Sequence, residues 1–282
     1  MSAPTQDTTA FTASWQEWHE AHERSRTDRL GILAATGLHW LGTARLRVPG
    51  VPGAWSLGEE GPMVELGAGE ALTADGAVLT GAHDLAPLLH DGTALLGFVE
   101  DGVEGVAEVS RRGRGVMLRP RRADSPYLDA YTGTHAYPAD AQWAVPARFI
   151  ARDEARSRQV EAVLPGLHHT FSSPGHLEFS AAGGTHRLTA FAGADGDLTV
   201  LFRDATSGIT TYAANRSLTV GAPGPRGETV LDFNRAVNLP CAYTDYSTCP
   251  LPPAENTLPF AIDAGEKMPA SRVGDTGRSD TM

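Results

Sequence analysis

The chain has 282 residues, enough for one large β domain or two small ones, and 41% of them are hydrophobic, which excludes gross disorder. Its 23 basic and 34 acidic residues give a formal net charge of −11; a body this acidic repels a phosphate backbone, so nucleic-acid binding is not expected. No apolar run approaches the ~20 residues of a membrane span, and Cys241 and Cys249 make no disulfide framework, so a soluble protein of the reducing cytoplasm is expected.

The opening MSAPTQDTTAFTAS has neither the basic nor the apolar region of a signal peptide, and residues 1–10 read as disordered. Phe11, Trp15, Trp18 and His22 fall at i, i+4, i+7 and i+11, one face of a helix. Ser14 followed by Glu17 has the spacing of a capping box. The pattern predicts a helix that buries both indoles against a sheet. Leu30 to Leu41, interrupted by Gly31 and Gly37, predicts a short helix or turn before the first strand.

From Ala44 to Val220 short alternating runs are separated by glycine-containing turns, the signature of antiparallel strands. Trp143, Val145, Ala147 and Phe149 alternate, as do Leu198, Val200 and Phe202, and Ala194-Asp195-Gly196-Asp197 marks a turn. Arg152 to Val163 reads as strand. After a strand at Thr229 to Phe233, five prolines from Pro240 to Pro259 exclude regular structure, while the apolar residues among them argue against disorder. The fold class is therefore mainly β (β-dominated α+β): an antiparallel barrel or sandwich with an N-terminal helical segment and a long irregular C-terminal wrap. One domain is expected over 11–269, with a disordered tail over 270–282.

Two stretches concentrate polar chemistry. Arg111, Arg112, Arg114, Arg119, Arg121 and Arg122 crowd a hairpin turning at Gly113 and Gly115. Arg112, Arg119 and Arg121 are candidates for an anion site, since guanidinium forks bind carboxylates and phosphates; the alternative is a solvated hairpin paired with surface acids. The second stretch places Leu198 to Arg203 and Ile209 to Val220 on adjacent strands, with Val200 opposite Tyr212 and Phe202 opposite Thr210. Tyr212 and Arg216 then share a face with Val200 and point into a polar site closed by the loop after Asp232. Asp232, Asn234, Asn238 and Glu255 are candidate partners for Arg216, and Arg235 is a further candidate ligand-binding residue of the site; the alternative is a structural network that pins the loop. The ten histidines are scattered, and no metal site is expected. Cys241 and Cys249 read as buried structural thiols, because no histidine follows His186 to activate them locally. Phosphate-binding glycine loops and a GxSxG elbow are absent from the sequence.

FRDATSGITTYAANR, from Phe202 to Arg216, and LDFNRAVNLPCAYTDYSTCPLPPAENTLPFAIDAGEK, from Leu231 to Lys267, resemble a bacterial family known as domain of unknown function 1684. WHEAHERSR and VSRRGRGVMLRPR resemble it more weakly. Leu239 stands where the family pattern has a second proline, and Ser247 where it has alanine. The resemblance implies a fold grouping and no activity, cofactor or catalytic residue. Two functions stay open: an enzyme acting on a small polar or anionic metabolite, and a non-catalytic β protein that binds such a ligand.

Overall fold

The computed structural model describes residues 8–89 and 92–273. The sequence reads as one domain over 11–269; the described residues group into two compact units, each around its own core. Most of the two ends expected to be disordered, 1–10 and 270–282, lies outside the described residues. Of the remainder, Thr8 to Ala10 are helical and Arg272 Nε donates to the Cys241 carbonyl at 3.2 Å.

One unit is built on residues 25–132. A 3-10 turn at Ile32–Ala34 leads, as the glycine-broken stretch predicts, into strand β1 (His39–Trp40). There follow β2 (Leu46–Arg47), β3 (Ala54–Leu57), β4 (Pro62–Glu65), β5 (Leu72–Ala74), β6 (Ala77–Leu79), β7 (Ala82–Asp84), β8 (Thr93–Glu100), β9 (Val103–Arg112) and β10 (Gly115–Arg122). Among the described residues these form two antiparallel sheets, ordered β1-β10-β9-β8-β5-β6 and β2-β3-β4-β7. Trp55 and Val64 of the smaller sheet and Leu96, Val109 and Leu118 of the larger share one buried core, so this unit is a sandwich. The arginine-rich segment is the β9–β10 hairpin, turning at Gly113 with φ +57°, where a side chain would be strained.

The other unit comprises residues 8–24, 133–243 and 249–272. Its strands are β11 (Ala144–Glu161), β12 (His168–Ala181), β13 (Gly184–Ala192), β14 (Leu198–Phe202), β15 (Arg216–Val220), β16 (Glu228–Asp232) and β17 (Val237–Asn238). They form one antiparallel sheet ordered β16-β11-β12-β13-β14-β15-β17. β16 and β17 sit at opposite edges yet are joined by a single 3-10 turn, Phe233–Arg235. Asp232 and Val237 are thus within about 18 Å at ~3.5 Å per residue, so the sheet must curl strongly. It does not close into a barrel. Leu177, Leu188, Val200, Phe202 and Leu218 form the core under this sheet, and Leu258, Ile262 and Ala264 of the irregular wrap pack on the same core.

Helix α1 (Thr8–Arg26) presents the expected face, with Phe11, Trp15, Trp18 and His22 half-buried. It starts at Thr8, so Ser14 is interior and no capping box forms there. The indoles dock on the Phe233–Arg235 turn instead of on strands: Trp15 Nε1 donates to the Asn234 carbonyl at 2.8 Å, and the Arg235 guanidinium lies 5.5 Å from the Trp18 ring. Trp15→Phe keeps the ring and deletes that bond, so it is expected to cost about 1 kcal/mol in urea unfolding; an unchanged midpoint would show that the bond contributes nothing.

The β14–β15 register departs from the expected one. Phe202 pairs with Arg216 and Val200 with Leu218, and the segment between the strands is a thirteen-residue loop, 203–215, that includes Tyr212. Asp and Thr side chains cause this. Asp204 Oδ1 accepts from the Thr206 amide at 2.7 Å and its hydroxyl at 2.6 Å, and Thr206 Oγ1 meets Thr211 Oγ1 at 2.9 Å. These local bonds replace the ladder that a short hairpin would need.

Candidate functional site

The predicted site residues disperse into five places. Arg216 faces the core as its strand pattern implied, and only 1% of it is exposed. Its partner is Asp204, at 2.7 Å, with the carbonyls of Ala264 and Ile262 and the ring of Phe202 completing its shell. Burial lowers the Arg216 pKa, and Asp204 opposes that shift. Tyr212 is on the loop, donating to the Cys241 carbonyl at 2.8 Å, and burial pushes its phenol up. These two residues pin the wrap to the sheet, and none of the cavities described below is lined by them. Cys241 and Cys249 are buried and form no disulfide with each other; the Cys241 thiol is pushed up by its hydrogen bond with Cys249 and by burial, which suits an unreactive thiol.

Asp232, Asn234 and Arg235 organise the turn under α1. Asp232 accepts from the Asn234 amide at 3.2 Å and pairs with Arg235 at 3.2 Å, and Asn234 exchanges two 2.9 Å bonds with the Asp140 backbone. In the sandwich unit, Arg119 (3.2 Å) and Arg121 both pair with Glu108, which is 2% exposed. The anion that these guanidinia hold is thus the chain's own carboxylate. Arg112 does not join them; its Nη1 donates to the Arg111 carbonyl at 2.8 Å. Glu255 lies on the outer side of the sheet, paired with Arg158 at 2.7 Å and with Thr189 at 3.1 Å.

Asn238 leads to a cluster that the residue patterns did not single out. Its amide donates to Glu266 Oε2 at 2.6 Å, and its Nδ2 donates to the Lys267 carbonyl at 2.8 Å. Tyr243 OH donates to the same Glu266 oxygen at 3.3 Å and meets Thr134 Oγ1 at 2.8 Å. The other carboxylate oxygen, Oε1, faces His22 Nε2 at 3.7 Å. Glu266 is 1% exposed and His22 31%; the imidazole stacks on Trp18 with centroids 5.5 Å apart. α1 supplies the histidine because position 22 is on its docked face, and the last part of the wrap supplies Glu266 where its amide bonds to the Ala236 carbonyl at 2.9 Å.

This arrangement has the order of a general-base dyad: a partly exposed imidazole in front, a buried carboxylate behind, and fixed donors holding that carboxylate. At 3.7 Å the two groups are beyond hydrogen-bond reach, and a working dyad would have to tighten when substrate binds. Asn238 Oδ1 is a buried acceptor without a donor among the described residues. Since Nδ2 is committed to Lys267, this acceptor is fixed in the cluster for a donor from water or a ligand. Among the described residues no group of three His, Cys, Asp or Glu side chains could hold a metal ion.

The family described as "Protein of unknown function (DUF1684)" matches residues 129–267, which hold every member of the cluster except His22. The solution NMR structure of an uncharacterized protein of Haloarcula marismortui is similar, with 30% identity over 50% of this chain and 79% of that one and a TM-score of 0.43. No curated protein matches the chain.

Proposed function

The chain belongs to the DUF1684 family, and since membership brings no activity with it, we propose from the site that it is an enzyme using His22 as a general base on a small polar or anionic metabolite. The observation that carries this is the half-exposed His22 imidazole facing the buried Glu266 carboxylate. His22 takes a proton from the substrate or from an attacking water, and Glu266 stabilises the imidazolium that results. Tyr243 and the Asn238 amide keep Glu266 oriented, and Asn238 Oδ1 offers the substrate an acceptor. The family match supports the reading at its carboxylate end, because it holds Asn238, Tyr243 and Glu266. Two buried thiols that form no disulfide support a cytoplasmic setting, and among the described residues no helix is long and apolar enough to cross a membrane.

Acylation by diethyl pyrocarbonate, mapped by mass spectrometry, tests the dyad. His22 is expected to react fastest of the ten histidines, and Glu266→Gln to slow it at least threefold while the far-ultraviolet circular dichroism stays unchanged. If His22 reacts at an ordinary rate that is indifferent to Glu266, the cluster only seats the helix.

A further inference from the structure

A second constellation lies on the outer side of the same sheet. β11 carries an irregularity between Ala151 and Arg156, which leaves the intervening residues without partners on β12. Arg152 lies within it, and Arg158 lies two residues beyond its end. His176 on β12 and His186 and Arg187 on β13 line the same open cavity of about 510 Å³, and Glu255 is its one carboxylate. A cavity of that size suits a small ligand. With Glu178, which pairs with Arg187 and faces His176 Nε2 at 3.6 Å, three guanidinia stand against two acids, a surplus of one positive charge in a chain of net charge −11.

The three arginines are not equivalent. Arg158 is tied to Glu255 at 2.7 Å, and Arg187 to Glu178 at 2.7 Å. Arg152 donates to the Ser173 hydroxyl at 2.8 Å and to the Ser173 carbonyl at 3.4 Å, and has no carboxylate partner among the described residues. Its charge is therefore available to a ligand, and a half-buried guanidinium fork matches an oxyanion. A second cavity, of about 560 Å³, adjoins the first: the two share Arg158, Glu255 and Thr257, and its far wall includes Leu251, Pro252 and Pro253.

We propose that this double cavity is a binding site for a phosphate monoester, its oxyanion held by Arg152 with His176 beside it and its apolar body lying across the Arg158–Glu255 pair against the proline wall. The site is separate from the His22 cluster and does not depend on it.

Isothermal titration with phenyl phosphate, inorganic phosphate and uncharged benzyl alcohol tests the proposal. Phenyl phosphate is expected to bind at least threefold tighter than inorganic phosphate, and benzyl alcohol not to bind. Arg152→Gln keeps a donor for Ser173 and is expected to weaken phenyl phosphate at least tenfold; Arg158→Gln, a second probe at an exposed pair, is expected to weaken it too. Arg226→Gln, which alters an 89% exposed arginine outside both cavities, is expected to leave binding unchanged. The proposal is overturned if no phosphate binds, if Arg152→Gln binds within twofold of the wild type, or if Arg226→Gln loses as much as Arg152→Gln.

Discussion

Asp204→Ala is expected to destabilise the protein by about 3–5 kcal/mol, because it strands a buried charge. Arg216 is 1% exposed, and without Asp204 its guanidinium keeps only two backbone carbonyls and the face of Phe202. Asp204 also organises the loop through Thr206 and accepts from the Ile262 amide at 3.3 Å, so three segments lose an anchor together. Urea unfolding followed by circular dichroism measures the loss. The double replacement Asp204→Ala with Arg216→Met removes the stranded charge and is expected to recover part of it. A loss below about 1 kcal/mol for the single variant would mean that water reaches Arg216 and that the packing described is wrong.

Glu108→Gln is the second large effect, expected at about 3 kcal/mol or more, since Arg119 and Arg121 lose the carboxylate between them. Here pH supplies an independent check. Burial raises the Glu108 pKa, but the two guanidinia and the Ser110 hydroxyl outweigh it, so the carboxyl sits below its ordinary value of 4.5. A carboxyl depressed by folding contributes its full stability above the unfolded pKa and loses it as pH falls through the folded one. Wild type should thus lose stability as pH drops below ~4.5 more steeply than Glu108→Gln does. Parallel pH profiles for the two proteins would contradict the assignment.

What the sequence made legible follows from local rules. Alternation marked β11, β14 and the strands around them; the i, i+4, i+7 spacing marked the docked face of α1; glycine marked the β9–β10 turn. The inward course of Arg216 was legible for the same reason, since it continues the alternation of a buried strand. The β14–β15 register was not, because Asp204, Thr206 and Thr211 bond to one another and fold a loop that a strand pattern cannot announce. Nor was the division into two cores, since both units share one β grammar.

The site was legible only in pieces. Asn238 was singled out as a partner for Arg216, and it does pair with Arg216 across β15–β17, but its side chain and amide serve Lys267 and Glu266. His22 was read as one more position on a helix face; the carboxylate that gives it a role lies in a proline-rich segment without any periodicity to place it. The family match covers the Glu266 end and stops short of His22, so it gave no signal joining the two. The arginines of the outer cavity were hidden differently: Arg152 and Arg158 stand among Asp153, Glu154 and other charged residues that read as a solvated strand face.

The most direct measurement is the depletion of a library of small polar and anionic metabolites by the purified protein, followed by mass spectrometry, with His22→Gln alongside. The account predicts that wild type consumes at least one compound and that His22→Gln slows its consumption by a factor on the order of 10²–10⁴, the usual contribution of a general base. A library left intact, or consumed equally fast by both proteins, would contradict it.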